Sequence, residues 1–294
     1  MKKNELDIMR NRGGFIAALD QSGGSTPKAL KLYGVDETAY SNEEQMYEEI
    51  HKMRSRIMTS PAFTSQKILG AILFEMTLDK LVEGVPTATY LNQKGILPFL
   101  KIDLGLASEE NGVQLMKPIT QLDETLKKAA KAEIFGTKMR SVIKGANPVG
   151  IRAIVEQQFD IAKTIIAAGL VPIIEPEVDI TIPDKAEAED ILLEELKIAL
   201  SLLSQDQQVV FKLSLPTREN LYLDIQKDSH LLRVVALSGG YTQSEANAKL
   251  AKNTGVIASF SRALSEGLSA QQNDEEFNAM ISQSIDAIFE ASKF

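Results

Sequence analysis

The sequence predicts a (β/α)8 barrel, a single α/β domain built on eight parallel strands. Eight short apolar segments have strand character, most are followed by a helical pattern, and the connections between them are short. Alternating strands and helices with nearly continuous apolar strands are typical of a parallel sheet. The 294 residues suit one such barrel and contain no linker or repeat that would divide them. We therefore expect one domain over residues 1–294.

Strand and helix patterns alternate along the chain. The predicted strands span residues 15–20, 68–75, 97–103, 134–140, 170–178, 209–215, 231–238 and 255–260. The predicted helices span residues 3–12, 42–58, 122–132, 148–168, 185–203, 244–252 and 274–292, with a loop of small residues at 21–27. A doubly wound sheet is the alternative fold. It would place a glycine-rich turn after the first strand, which residues 22–25 match only loosely.

Composition and charge exclude several classes of function. The net charge of −8 and the pI near 5.1 argue against nucleic acid or an anionic membrane as the main partner. There is no cysteine, and His51 and His230 lack ligand-like neighbours, so we expect neither a metal nor another cofactor. With no apolar signal segment and no stretch near ~20 residues for a membrane span, we expect a cytoplasmic location.

Lys212 lies in the middle of the apolar run 209–215. A lysine in such a run must be paired or neutral, because burying an unpaired ammonium is costly. A neutral lysine amine is a nucleophile that forms Schiff bases with carbonyl substrates. Because side chains alternate along a strand, Phe211 and Leu213 are expected to face the helices, which leaves Lys212 on the inner face.

Other strands also carry polar side chains towards their carboxyl ends, where barrel enzymes hold their active sites. The alternation of faces brings these side chains into one ring: Asp20, Lys101, Lys138, Glu175, Glu177 and Lys212, with Asp103 and Arg140 on the same faces. Taken alone, Glu175 with Glu177 also fits a solvated strand end, and Lys101 with Asp103 also fits an ordinary ion pair. Their convergence favours a site, since desolvating buried charges without a function is costly.

A second signal indicates an anion site near the last two strands. Ser238, Gly239 and Gly240 close the seventh strand before a helix, where exposed backbone N–H groups can bind an anion. Barrels often bind phosphate at this place. Arg262, which follows Ser259 after the eighth strand, can hold phosphate oxygens in a bidentate manner.

The motifs around these residues resemble the class I fructose-bisphosphate aldolases, most closely the short bacterial form. They are AALDQS at 17–22, FLKID at 99–103, FGTKMR at 135–140, VPIIEPE at 171–177, FKL at 211–213, LSGG at 237–240 and SFSRAL at 259–264. The resemblance covers essentially the whole chain. It implies a metal-free Schiff-base enzyme that cleaves fructose 1,6-bisphosphate to dihydroxyacetone phosphate and glyceraldehyde 3-phosphate.

The resemblance also implies roles for single residues. Lys212 matches the Schiff-base lysine, Glu175 the proton-transferring glutamate and Asp20 the aspartate that acts at the C4 hydroxyl. With these three, Lys138 and Glu177 complete the expected catalytic group. The expected substrate-binding group is Lys101, Arg140, Ser238, Gly239, Gly240, Ser259 and Arg262, with Ser22 and Ser25 for the other phosphate.

The chain departs from the animal-type pattern in three places. Gln21 stands where a glutamate is common, Ser261 stands where a glycine often precedes the arginine, and the chain ends at Phe294 without a long tail ending in tyrosine. That tyrosine assists a proton transfer in animal-type members. Glu175 or a phosphate oxygen of the substrate is the candidate for that transfer here.

Other classes of function remain open from the residues alone. A transaldolase or a monophosphate aldolase would also use a Schiff-base lysine, and a phosphosugar isomerase would use a glutamate base without a covalent adduct. A non-catalytic binding barrel is the third class. Two basic phosphate ends favour a bisphosphate, so the expected partner is a small phosphorylated sugar.

Overall fold

The computed structural model describes residues 3–293, which form an eight-stranded parallel barrel surrounded by helices. The barrel strands are β1 Phe15–Leu19, β2 Ile68–Leu73, β3 Leu97–Lys101, β4 Gly136–Ile143, β5 Val171–Val178, β6 Val209–Ser214, β7 Leu231–Leu237 and β8 Ile257–Ala258. Three short strands, Leu81–Val82, Val85–Pro86 and Val113–Gln114, lie outside this set. Each strand pairs in parallel with the next one along the chain. The backbone N–H of Ala18 donates to the carbonyl of Phe260 at 3.0 Å, which links the end of β8 back to β1. The predicted fold class is confirmed.

Apart from the first one, the helices follow the strands, and most of them cover the outside of the barrel. They are α1 Lys3–Asn11, α2 Ser25–Leu32, α3 Glu43–Thr59, α4 Glu75–Leu78, α5 Thr87–Gln93, α6 Leu122–Lys131, α7 Pro148–Ala167, α8 Lys185–Ser201, α9 Gln243–Leu250, α10 Arg262–Ser265 and α11 Asp274–Ala291. Asn42 caps α3 by accepting from the N–H of Gln45, and Asn147 caps α7 immediately before Pro148. Both starts agree with the sequence signals. None of the helices in residues 3–293 has the length and apolar character needed to cross a membrane.

Several boundaries differ from the sequence prediction. The strand predicted at 134–140 is β4, which begins at Gly136 and continues to Ile143 because β5 pairs with it along its whole length. The strand predicted at 255–260 is reduced to the two residues of β8. The loop predicted at 21–27 is wrong in its second half, where α2 begins. The second strand ends before Glu75, which begins α4 and pairs with Lys128 on the surface at 3.1 Å.

Apolar side chains form one layer inside the barrel and another between the strands and the helices. Val210 belongs to the inner layer, whereas Phe211 and Leu213 pack outward, as the alternation predicts. Gly136 makes room for the inner ring of Phe99, since a Cβ there would lie 2.9 Å from that ring and 2.2 Å from a backbone carbonyl. The barrel interior is therefore filled with apolar groups on the side towards the amino ends of the strands.

Helix α1 covers the amino ends of the strands. Met9 is fully buried and joins the inner apolar layer. The guanidinium of Arg233, on β7, donates to the carbonyls of Met9, Arg10 and Arg12 and so holds the end of α1. With this end covered, the carboxyl ends of the strands are left for the polar residues.

Candidate active site

A cavity of about 550 Å³ opens at the carboxyl ends of the strands. The predicted catalytic residues all line it: Asp20, Lys138, Glu175, Glu177 and Lys212. The predicted binding residues that line it are Ser22, Ser25, Lys101, Arg140, Ser238, Gly239, Ser259 and Arg262. Gly240 lies beside the cavity, exposed and outside its lining. The alternation of faces therefore brought together almost the whole predicted set.

Buried charges form a continuous chain at the bottom of the cavity. Lys212 Nζ lies 3.0 Å from Glu175 Oε1, and Lys138 Nζ lies 3.0 Å from Glu175 Oε2. Lys138 Nζ also lies 2.7 Å from Asp20 Oδ2. All four side chains are at least nine-tenths buried. Glu175 thus bridges the two lysines, and Lys138 separates the two carboxylates.

These contacts fix the charge states of two of the groups. Burial by itself would raise the pKa of Asp20, but the charges of Lys138 and Lys212 outweigh it and hold that pKa well below its ordinary value. Burial would lower the pKa of Lys138, but Asp20 and Glu175 outweigh it and raise that pKa above the usual range. The site therefore favours a carboxylate on Asp20 beside an ammonium on Lys138.

Two further ion pairs flank this centre. Lys101 Nζ lies 2.8 Å from Asp103 Oδ1 and donates to the backbone carbonyl of the same residue at 2.7 Å. Arg140 donates through Nε to Glu177 Oε2. Burial would lower the pKa of Arg140, but its pairing with Glu177 raises it. The pairs keep the walls of the cavity polar and charged.

One end of the cavity has the groups of an anion site. Gly239 has φ +61°, in the left-handed region that favours glycine, and a Cβ there would lie 2.7 Å from Ile180. The hydroxyl of Ser259 is buried and has no hydrogen-bond partner within residues 3–293. Arg262 is exposed at the rim, at the start of α10. A phosphate here could receive N–H groups, a hydroxyl and a guanidinium.

Another part of the cavity wall is formed by the turn after β1 and by α2, and Gln21 in this turn donates to Ser261 Oγ at 2.8 Å. Ser25 Oγ donates to the carbonyl of Ser22 at 2.8 Å and accepts from its N–H at 3.1 Å. Lys28, one turn into α2, is exposed and also lines the cavity. Basic and hydroxyl groups from this segment therefore line the same cavity as those that follow β7 and β8.

Comparisons with known proteins identify the family of the chain. The sequence profile of the family described as "Fructose-bisphosphate aldolase class-I" matches residues 2–212. The "Fructose-bisphosphate aldolase class 1" of Synechocystis is 59% identical over 291 residues, which cover 99% of this chain and 97% of that relative. That of Clostridium acetobutylicum is 58% identical over 293 residues and 99% of each chain. The chain belongs to the class I fructose-bisphosphate aldolases. The resemblance predicted from the motifs is confirmed.

A solved structure gives an independent comparison for the aldolase fold. It is the fructose-bisphosphate aldolase from Plasmodium falciparum, solved in complex with TRAP and a small-molecule inhibitor. The match has a TM-score of 0.77 at 21% identity and covers 98% of this chain and 93% of that one. At this low identity the likeness shows the barrel fold alone.

Several residues that line this cavity were not predicted from the sequence. Asp103 was placed on the correct face but not in the site, although it contacts Lys101 and lies 3.9 Å from Lys138. Lys28 was missed because α2 was not predicted, and only a helix turns this lysine back to the cavity. Gly105 and Leu106 line the cavity from a loop with no periodic pattern. For Asp103, its position two residues beyond Lys101 on one face was the available signal.

Proposed function

We propose that this aldolase cleaves fructose 1,6-bisphosphate through a Schiff base on Lys212. The observation that carries the proposal is the contact of 3.0 Å between Lys212 Nζ and Glu175, both buried beneath a cavity lined by basic and hydroxyl side chains. The carboxylate can take the proton that the lysine must lose before its amine attacks the C2 carbonyl. The same pair also supports proton transfer when the adduct loses water.

The carbon–carbon bond breaks in the second stage. Loss of water from the C2 adduct gives an iminium, which can accept the electron pair of the C3–C4 bond. Asp20, held as a carboxylate beside Lys138, removes the proton of the C4 hydroxyl, and glyceraldehyde 3-phosphate leaves. The enamine then takes a proton at C3, and water releases dihydroxyacetone phosphate. Lys138 balances the charges of Asp20 and Glu175 throughout.

The two anion sites position the substrate for these steps. Ser238, Gly239, Ser259 and Arg262 would hold the phosphate on C1, which fixes C2 against the amine of Lys212. Ser22, Ser25, Lys28 and Lys101 would hold the phosphate on C6. Glu177 would orient Arg140 at the wall of the cavity. We also propose that residues 1–294 form one domain and that the protein is cytoplasmic.

Reductive trapping tests the proposed nucleophile. Borohydride added with fructose 1,6-bisphosphate should inactivate the protein and leave the mass of the reduced dihydroxyacetone phosphate adduct on Lys212, identified by peptide mass spectrometry. Lys212→Met, which keeps a similar volume, should lose both turnover and trapping. The control is Lys94→Met, because Lys94 is half-buried and donates to the carbonyl of Met58, away from the cavity. Activity that survives borohydride and is lost with a chelator would overturn the proposal.

A further inference from the structure

Gln158 is a fully buried side chain that contacts the backbone of the proposed proton carrier. It projects from α7 towards the barrel, and both ends of its amide are used. Its Oε1 accepts from the backbone N–H of Glu175 at 2.9 Å, and its Nε2 donates to Ser141 Oγ at 3.1 Å. Buried amides are normally satisfied in this way. One side chain therefore ties a helix to two neighbouring strands at the height of the active site.

The strand pairing leaves the backbone of Glu175 unpaired on the side of β6. The paired residues of β5 and β6 are Ile173 with Val210 and Ile174 with Phe211, and the pairing ends there. Glu175 and Lys212 follow immediately, on opposite sides of the gap. β4 continues beside β5, and β7 continues beside β6. The two strands that carry the reacting groups are thus not held to each other by backbone pairing at the reacting residues.

We propose that Gln158 is a positioning residue that sets the place of Glu175 in this gap. Glu175 must reach Lys212 with one carboxylate oxygen and Lys138 with the other, each at 3.0 Å. Without Oε1 of Gln158, the buried N–H of Glu175 has to find another acceptor, and the strand segment would move to reach one. A shift of that kind would disturb both contacts of the carboxylate.

The inference rests on the proposed role of Glu175, and the chain offers a matched control for it. Gln157 is the adjacent residue of α7 and is half-buried, and both ends of its amide are likewise used, in this case on the backbone of a single residue. Its Oε1 accepts from the N–H of Met116 at 2.9 Å, and its Nε2 donates to the carbonyl of Met116 at 3.0 Å. Gln157→Met and Gln158→Met therefore remove the same number of hydrogen bonds by the same substitution. Only Gln158→Met removes the acceptor of the backbone N–H of Glu175.

Steady-state kinetics on the two variants separate positioning from stability. For Gln158→Met we expect kcat to fall by about tenfold with KM within about twofold, because a displacement of an ångström or less at a reacting group is costly. The rate of adduct formation on Lys212, followed by borohydride quenching, should fall in parallel. Gln157→Met should keep kcat within about twofold of the wild type. Equal kcat values for the two variants would refute the proposal.

Two further variants complete the experiment. In a Glu175→Gln background, Gln158→Met should cause little additional loss of kcat, because residues that act through one another are not additive. Full additivity would count against the proposal. Ser141→Ala, a small change that frees the amide of Gln158, should lower kcat by about twofold to fivefold. Should Gln158→Met not fold, an unchanged kcat in Ser141→Ala overturns the proposal.

Borohydride trapping on the wild-type protein shows which of the two proposals has failed. Absence of a trapped adduct on wild-type Lys212 would remove the Schiff-base function itself. A trapped adduct together with unaffected Gln158 variants would leave that function intact and remove only the positioning role.

Discussion

Among single residues, Asp20 and Lys138 set how the folded state responds to acid. Their charged atoms lie 2.7 Å apart, with both side chains nine-tenths or more buried. The pKa of Asp20 is held well below its ordinary value, mainly by Lys138 acting against burial. An unfolded aspartate has a pKa of about 3.9, so the unfolded chain takes up this proton first as the pH falls. The pair therefore stabilises the fold above about pH 4 and loses that contribution below it.

Asp20→Asn tests the sign of this dependence. The variant should be less stable than the wild type at pH 7, and the difference in free energy of unfolding should shrink as the pH falls from about 5 towards 2. Urea unfolding at several pH values measures it. Asp160→Asn is the control, because Asp160 pairs with Lys163 at the surface and its side chain is 76% exposed. A difference for Asp20→Asn that stays constant with pH would contradict the assigned charge states.

Among the elements, α1 has a structural task at the end of the barrel opposite to the site. Met9 closes the inner apolar layer there, and Met9→Ala would leave a hole in it. We expect a loss of about 2–4 kcal/mol in the free energy of unfolding, the usual range for such truncations. The value of kcat at 25 °C should stay close to that of the wild type.

The matched control for this substitution is Met76→Ala. Met76 is 36% exposed, so its truncation should cost less than about 1 kcal/mol. Urea denaturation of the two variants gives the comparison. Equal losses would mean that α1 does not close the inner apolar layer as its contacts indicate.

The elements also show where sequence reasoning succeeds and where it stops. The alternation of side chains along β5 and β6 was sufficient to place Glu175 and Lys212 inside the barrel, because a one-residue shift would bury polar groups among the helices. It could not give the early end of the β5–β6 pairing, which depends on strand separation in three dimensions. Helix α2 was missed because its glycine-rich start resembles a loop. Nothing in the sequence marks Gln158 as a buried residue, since one glutamine in an amphipathic helix looks like a surface residue.

On the scale of the whole molecule, the charge of the cavity opposes the charge of the protein. The chain carries a net charge of −8, whereas six basic and only four acidic side chains line the cavity. A bisphosphate approaching the molecule is repelled by the general surface and attracted by this opening. A cavity with an excess of charges of one sign focuses the electrostatic field and raises the association rate of a substrate of opposite charge. Salt screens this effect beyond about 10 Å at 0.1 M.

The ionic strength should therefore change the rate in a substrate-dependent way. For fructose 1,6-bisphosphate, kcat/KM should fall by about threefold to tenfold between 20 and 300 mM NaCl, since screening weakens both phosphate contacts and the approach of the substrate. Fructose 1-phosphate carries one phosphate fewer and should show a clearly smaller fall. In Lys28→Met, which removes an exposed charge from the lining of the cavity, the two substrates should become more alike. An identical salt dependence for both substrates in the wild type would show that the second anion site does not contribute to binding, because only the bisphosphate can occupy both proposed anion sites at once.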